Sequence, residues 1–330
     1  MKFSVAMCTY NGARFLREQL DSIAAQTRPP DELVVCDDRS TDGTTDLVAA
    51  FAAAARFPVR LHVNTENLGS TKNFDRAVSL CTGDLIALAD QDDVWLPRKL
   101  ELSEGALAAS PRAGLVFTDA EVVDERLAPL GFTLWQRINF SEEEKALIRR
   151  GRGFDVLLEH NVVTGATMAF RAELRDLVLP IPTEGRLIHD GWIALLAAAV
   201  SDLAFVELPL VQYRQHEAQQ LGAVKGGEFE HRRATFAEVL EAAQATRGAD
   251  YLRELNWLEP FCARLAEQGG AYRSRAGVVR LNGRLTHLRA RASLPRGRLA
   301  RVPIVLRELL TMRYHRHSRG VLSFAKDLFN

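Results

Sequence analysis

Ala87-Leu88-Ala89-Asp90-Gln91-Asp92-Asp93-Val94-Trp95 is an apolar run that ends in three carboxylates within four residues and then an aromatic. With Leu85 and Ile86 ahead of it and Thr82-Gly83-Asp84 before those, it reads as a buried strand whose carboxyl end delivers Asp90, Asp92 and Asp93 together. Side chains alternate along a strand, so Asp90 and Asp92, two apart, can point the same way. Hard oxygens placed like this suit a divalent cation with positions left open for a phosphate ligand. The competing reading is an acidic turn ahead of a helix that begins near Pro97, with Asp93 as its cap, because Asp caps helices well and Pro favours the first helical position.

The chain on either side decides what kind of strand this is. Phe3 to Met7 is an apolar strand, Cys8-Thr9-Tyr10-Asn11-Gly12 a loop, and Phe15, Leu16, Leu20 and Ile23 follow at helical spacing. The pattern repeats with Leu33 to Cys36, the loop Asp37 to Gly43 and a helix from Leu47 to Ala55. It repeats again with Val59 to Val63, the loop Asn64 to Gly69 and a helix from about Thr71 to Leu80, so Leu85 opens a fourth strand. Strands alternating with helices imply right-handed crossovers and an α/β fold with a mostly parallel central sheet, Rossmann-like in this half. Ligands of such sheets bind at the carboxyl ends of the strands. Those ends carry Thr9-Tyr10-Asn11, Asp37-Asp38, Asn67-Leu68-Gly69 and Asp90-Gln91-Asp92.

No loop spells Gly-x-Gly-x-x-Gly or the Walker pattern, which disfavours a dinucleotide dehydrogenase or a P-loop NTPase. Asp38 is placed either to hydrogen-bond a nucleotide's base or ribose or to cap a turn rich in capping residues. Lys72 is either a diphosphate contact or a solvated residue on a helix's first turn. Beyond Pro97 a helix to about Ser110 and a strand Ala113 to Phe117 are expected, with Glu121 to Asp124 extending or reversing that strand. The pattern weakens from Leu130 to Asn161, although Ser141 followed by Glu144 spells a capping box. Val162 to Phe170 returns to strand character, and Leu203 to Glu207 and Leu210 to Tyr213 read as two short strands.

Between them, Leu187-Ile188-His189-Asp190-Gly191-Trp192 opens an Ala-rich helix. Asp190 is an ordinary N-cap or a carboxylate facing a cavity against an aromatic wall, where a raised pKa would suit a general base. His216, in Tyr213-Arg214-Gln215-His216, is a surface histidine or an imidazole closing over a metal.

The four cysteines show no paired framework and no zinc spacing. The amino terminus lacks a signal peptide's order of basic, apolar and small residues, and no apolar run reaches the roughly 18 residues a membrane span needs, so a cytoplasmic location is expected. From about residue 227 the chain turns to helical spacing, with Phe236, Val239, Leu240 and Ala243, then Leu252, Leu255, Leu258 and Phe261. Residues 271–330 hold 13 Arg and one Lys against Glu308 and Asp327, a net of +12 in a chain that carries 42 charges of each sign. Arg280, Arg284, Arg289, Arg291, Arg296, Arg298 and Arg301 interleave with Leu281, Leu285, Leu288, Leu294 and Leu299, as on a basic amphipathic helix at a membrane surface. Nucleic acid would need the same charge, and pairing with an acidic surface of the fold or of a second copy is the structural alternative.

Taken together, Val5 to Gly12, Val35 to Thr44, Asn67-Leu68-Gly69 and Ala89 to Pro97 resemble the successive motifs of family-2 inverting glycosyltransferases of the GT-A fold. The order and spacing cover about 220 residues, and His189-Asp190-Gly191-Trp192 and Tyr213-Arg214-Gln215-His216 are similar to later motifs of bacterial rhamnosyltransferase-like enzymes of surface-polysaccharide assembly. Cys8 stands where many members carry Thr or Ser, and Lys72 where Arg is frequent.

The resemblance implies a GT-A domain over residues 1–225, with a nucleotide-sugar-binding half at 1–120 and an acceptor half at 121–225, and a helical basic extension at 226–330. It implies that Thr9, Tyr10, Asn11 and Asp38 surround the base and ribose of a nucleoside-diphosphate sugar. Lys72 then lies near the diphosphate and Asp90 at the ribose or the metal's water shell. Asp92 and His216 hold Mg2+ or Mn2+, and Asp190 is the catalytic base. The expected partners are the nucleotide-sugar donor, dTDP-rhamnose first and a UDP-hexose next, a glycan or lipid-linked acceptor, and an anionic membrane met through 271–330 at the inner face of the plasma membrane. No nucleic acid is expected, and the oligomeric state stays open. Two alternatives remain, a sugar-1-phosphate nucleotidyltransferase and a non-catalytic scaffold for glycan assembly. The loop Cys8 to Ala13, with one Gly and no Lys, counts against the first.

Overall fold

β1 (Phe3–Thr9), β2 (Glu32–Asp37) and β4 (Leu85–Ala89) are buried along their whole length, as near-continuous apolar runs must be when helices cover both faces of a parallel sheet. β3 (Val59–Val63), only partly buried, closes the edge. A computed structural model describes residues 1–184, 187–217, 248–272, 276–295, 297–318 and 320–329. Contacts divide the chain into two compact units, Met1–Gly227 and Glu228–Asn330.

In the first unit, α1 (Ala13–Ala24), α2 (Thr44–Ala54) and α3 (Ser70–Leu80) connect the four parallel strands. The sheet order is β3-β2-β1-β4, then β8 (Met168–Arg171), β6 (Ala113–Val123), β9 (Asp202–Arg214) and β5 (Val94–Trp95), with β7 (Pro129–Thr133) on β6. β2 and β4 lie on opposite sides of β1, so the order reverses there and a crevice opens at the carboxyl ends of β1 and β4. Register fixes what meets in it. Thr9 pairs with Asp37 across β1 and β2, and Met7 pairs with Ala89 across β1 and β4, which places Asp90 one residue past the ladder.

The second half of the sheet decides one alternative the sequence reading left open and departs from that reading in two places. β6 runs unbroken over Ala113–Val123, so Glu121 to Val123 extends the strand, and β7 (Pro129–Thr133) folds back on it. The two short strands expected after Leu203 are one strand, β9 (Asp202–Arg214), whose register shifts where Asp119 meets Pro209. Proline has no N–H for the ladder, so the irregularity falls there instead of ending the strand. Of Val162 to Phe170 only Met168 onward is strand, β8 (Met168–Arg171), because Gly165–Thr167 forms a 3₁₀ turn.

β5 is the two-residue strand Val94–Trp95 that follows the acidic turn and pairs with β9. In α4 (Lys99–Ala109) the N-cap position is Arg98, which makes no side-chain capping bond, and not Asp93, which is fully buried. The weakly patterned stretch forms α5 (Leu134–Arg137), α6 (Glu142–Arg149) and α7 (Gly153–Glu159), and Ser141 and Glu144 make the capping box their spacing spells. There Trp135 stacks edge-on against Phe140, and both pack with Phe117 and Phe205. After α8 (Arg175–Val178) comes α9 (His189–Val200), almost entirely buried, as its Ala-rich sequence requires.

In the second unit, α10 (Gly248–Gln268), α11 (Ala276–Ala292), α12 (Arg298–Leu310), α13 (Arg313–His317) and α14 (Val321–Phe329) are helical. The spacing at Phe236 to Ala243 lies outside the described residues, as does Arg296. Leu255, Leu258, Leu281, Leu285 and Leu288 are buried, so the leucines of α11 that suggest a lipid-facing stripe in the sequence make up this unit's own core. Two of its acids, Glu308 and Asp327, are buried with them. Asp327 takes a bidentate pair from Arg291 at 2.6 and 3.0 Å and a hydrogen bond from the Tyr314 hydroxyl at 2.8 Å. Glu308 meets His287 at 2.8 Å and Arg313 at 2.8 Å.

Candidate active site

The first wall of the crevice is two loops laced together by short polar side chains. The Thr9 hydroxyl donates to Asp37 at 2.7 Å, and Asp37 in turn accepts the N–H and hydroxyl of Ser40, three residues on, which holds the turn after β2. Asn11, in the left-handed region at φ 47°, donates its N–H to the Ser40 hydroxyl and accepts the Thr41 N–H at 2.9 Å. The Gly12 and Ala13 N–H groups go to Thr44 and Asp42. Tyr10 stays 45% exposed, with its backbone clamped on both sides by the Gln91 amide at 2.8 and 3.1 Å. A Cβ on Gly12 would sit 2.1 Å from Gln91 Oε1, so glycine is what lets the two loops close.

Asp38 builds the second wall. Its carboxylate accepts the Leu68 N–H at 2.7 Å, the Gly69 N–H at 2.8 Å and the Asn64 amide at 2.7 Å, and so holds the loop after β3 in shape. A carboxylate has about four acceptor positions, and three are filled from within the fold. Lys72 is exposed on the first turn of α3.

The acidic turn forms the floor. His216 Nε2 lies 2.9 Å from Asp92 Oδ2, and its ring packs on Phe15 with centroids 4.7 Å apart. Arg214, 1% exposed, holds the turn in place. Its backbone N–H donates to Asp93 at 3.0 Å, and its guanidinium to the carbonyls of Asp92 and Glu125 at 2.6 Å and to the Glu18 carboxylate. Beneath it Lys99 is wholly buried with its ammonium 3.7 Å from the Trp95 ring centroid, and burial lowers its pKa to about 7. Among the described residues no three His, Cys, Asp or Glu converge to hold a metal by themselves. Asp92 and His216, whose Oδ2 and Nε2 lie 2.9 Å apart, would supply two positions to a divalent cation that takes its remaining ligands from water and a diphosphate.

Asp190 stands opposite, inside the first turn of α9 and not ahead of it as a cap. Its carboxylate accepts the Gly191 N–H at 2.5 Å and the Gly165 N–H at a long 3.4 Å. Burial outweighs these bonds and raises its pKa to about 6. Neighbouring His189 is stacked on Phe74 at 4.1 Å, and burial lowers its pKa to about 3, so it is a neutral wall. A Cβ on Gly165 would come within 3.1 Å of the His189 ring and 3.6 Å of the Asp190 side chain.

Charge ties the two sides together. Asp90 is raised by burial first, then by Asp92 and Asp190; Asp93 by burial, then Asp92 and Asp90. Tyr213 is raised by burial and by all four carboxylates. A cleft that gathers this much negative charge is one in which a divalent cation would be strongly favoured, and it would pull the carboxylates back toward ionisation.

Residues 4–155 match the profile of glycosyl transferase family 2. That segment is a family-2 glycosyltransferase domain. A curated relative of this glycosyltransferase, the uncharacterized glycosyltransferase alr2836 of Nostoc sp., is 28% identical over 220 residues, 66% of each chain. Escherichia coli WfgD, a UDP-Glc:alpha-D-GlcNAc-diphosphoundecaprenol beta-1,3-glucosyltransferase, is 26% identical over 139 residues, 42% of this chain and 53% of WfgD. The chain thus spans about half to two thirds of the length of these curated relatives. Among solved structures, Staphylococcus aureus TarS 1–349 in complex with UDP-GlcNAc superposes with a TM-score of 0.52 at 17% identity, covering 99% of this chain and 90% of that one. That likeness bears on the fold, which is of the GT-A type.

Four residues that hold this glycosyltransferase's site together carry no role in the sequence reading: Gln91, Gly12, Gly165 and Arg214. Arg214 had a signal in principle, since it stands two residues before His216, but nothing local says that its guanidinium turns back to the carbonyl of Asp92.

Proposed function

We propose that this family-2 glycosyltransferase moves a sugar from a pyrimidine nucleoside diphosphate to a hydroxyl of a growing, lipid-linked bacterial surface glycan, with inversion at the anomeric carbon. The observation that carries the reading is Asp190. It is a carboxylate at the start of α9, with a pKa raised to about 6, whose charge reaches Asp90 in the turn that carries Asp92 and His216. A base poised near neutrality on one side of a cleft and a cation-holding pair on the other are the two things a single displacement needs.

The acceptor hydroxyl gives its proton to Asp190 as its oxygen bonds to the anomeric carbon, and the bond from that carbon to the diphosphate breaks with the electron pair leaving on the diphosphate. Asp92 and His216 would hold a divalent cation, which would supply neutralisation of the charge that develops on the leaving diphosphate. Thr9, Tyr10, Asn11 and Asp38 line the base and ribose, Asp38 chiefly by shaping the Leu68–Gly69 wall. Asp90 faces the ribose or the cation's water, and Lys72 lies near the diphosphate. dTDP-rhamnose is the first donor, on the strength of the motifs at His189 to Trp192 and Tyr213 to His216, and a UDP-hexose is the second. WfgD, named for UDP-Glc and a diphosphoundecaprenol-linked acceptor, supports a pyrimidine donor and a lipid-linked acceptor. We place the reaction at the inner face of the plasma membrane, met through residues 271–330, and no helix among the described residues is long and apolar enough to cross it.

A donor screen read by mass spectrometry of the released nucleotide, with and without Mg2+ or Mn2+, tests the proposal. Metal-dependent release of dTDP or UDP from its sugar is the expected result. Release of pyrophosphate from a nucleoside triphosphate in the presence of a sugar phosphate would point instead to nucleotidyl transfer.

A further inference from the structure

With Leu281, Leu285 and Leu288 buried, the apolar surface left outside the second unit lies elsewhere. On α12, Leu299 is 89% and Leu310 82% exposed, and Leu306 and Pro303 are exposed between them. The spacing 299, 303, 306, 310 puts all four on one helical face, roughly 16 Å long at about 1.5 Å per residue. Val305 and Glu308 point the other way and are buried. Met312, just past the helix, adds 47% of its surface at the same end.

Among the described residues that flank this stripe along the chain, the exposed charge has one sign. Residues 276–329 contain two acids, Glu308 and Asp327, and both are buried in the pairs with His287, Arg313 and Arg291 described above. Among the described residues of that stretch the exposed charges are therefore cationic, including Arg298 and Arg307 at the borders of the stripe and Arg316 beyond it.

We infer that this face of α12 lies on an anionic phospholipid surface, with Leu299, Pro303, Leu306 and Leu310 in the interfacial layer and Arg298 and Arg307 at the lipid phosphates. The inference rests on the proposal that residues 271–330 meet a membrane, and it assigns the contact to one helix face. An apolar stripe rimmed by cations is what an interfacial helix needs, since burial of the stripe and attraction to the headgroups act together. A nucleic acid would use the arginines and leave the leucines wet. A two-fold contact between copies would bring the same cationic rims together.

The full-length protein is tested by co-sedimentation with vesicles of phosphatidylcholine alone and of phosphatidylcholine with about one-third phosphatidylglycerol at low ionic strength. The anionic vesicles are expected to bind at least ~10-fold more tightly, and the Leu306→Glu/Leu310→Glu double variant to lose that binding. Both positions are exposed, so circular dichroism and donor hydrolysis should be unchanged in the variant. If the wild type ignores both vesicle types, the membrane proposal itself fails. If the wild type binds and the double variant binds equally well, the membrane proposal stands and this face is excluded. A wild type that self-associates in sedimentation velocity, with the double variant monomeric, overturns the inference in favour of a second copy.

Discussion

Replacing Asp190 by Asn removes a base and relieves a burial cost in one step, and the two effects move opposite observables. The pKa of Asp190 rises from 3.8 to about 6 in the fold. A shift of roughly two units corresponds to about 3 kcal/mol of destabilisation of the ionised group, an upper bound because part of the side chain still meets solvent. Asn keeps an oxygen for the Gly191 N–H at 2.5 Å but turns its amide toward the Gly165 N–H at 3.4 Å, which gives back about 1 kcal/mol. The net is a gain of about 1–2 kcal/mol, or a rise of roughly 2–6 °C in the melting temperature of a unit this size. Transfer should fall by about 10²–10⁴-fold for want of a proton acceptor.

The pH dependence has a definite sign. A carboxyl whose folded pKa lies above its unfolded value destabilises the fold fully above about pH 6 and not at all below about pH 3.8, where both states are protonated. The thermal advantage of Asp190→Asn is therefore largest at neutral pH and shrinks as the pH falls through 6 toward 4, the range in which wild-type transfer also declines. Calorimetry across that range, with product formation measured in parallel, checks both. An Asn variant that melts several degrees lower at pH 7.5, or that still transfers sugar at a tenth of the wild-type rate, refutes the assignment.

Gly12→Ala should drive the Gln91 amide off the Tyr10 backbone, costing two hydrogen bonds at about 1 kcal/mol each and raising KM for the donor more than it lowers kcat. The Gly12→Ala/Gln91→Ala double variant should be no worse than Gln91→Ala alone, and strictly additive losses in a double-mutant cycle would show that the clash is not the cause. Arg214→Met should cost about 2–3 kcal/mol in denaturant unfolding because it leaves the carbonyls of Asp92 and Glu125 without their donor, while Glu18, half exposed, is taken up by solvent. Arg214→Lys should recover only part, since an ammonium lacks the planar fork, and full recovery by Lys would reduce Arg214 to a point charge.

The parallel half of the fold was legible because its signals are local. Each strand is an apolar run that ends in a polar loop, and the sheet order follows from right-handed crossovers between neighbours. The site was legible only as a set of loops. Thr9, Asp38, Asp90, Asp92 and Asp190 could be picked out by type and position, but which carboxylate keeps free lone pairs depends on partners far along the chain. Asp38 gives its oxygens to Leu68 and Gly69, some thirty residues on, and Asp93 is buried by Arg214, 121 residues away. Composition sees an acidic turn in both cases, and only the fold separates a carboxylate that shapes a wall from one that meets a ligand.

The basic tail shows the same limit with the opposite sign. Leucines at helical spacing among arginines look identical whether the apolar face meets lipid or other helices, because both environments reward the same burial. What distinguishes them is where the few acids go. Asp327 takes Arg291 inward, Glu308 takes Arg313 and the His287 ring, whose pKa burial lowers, and with these partners in place Leu281, Leu285 and Leu288 pack beside them as a core. With Glu254 of α10 also taking Arg284, these acids hold α11 inward, whereas Leu299, Leu306 and Leu310 of α12, with Arg298 and Arg307 beside them, remain outside.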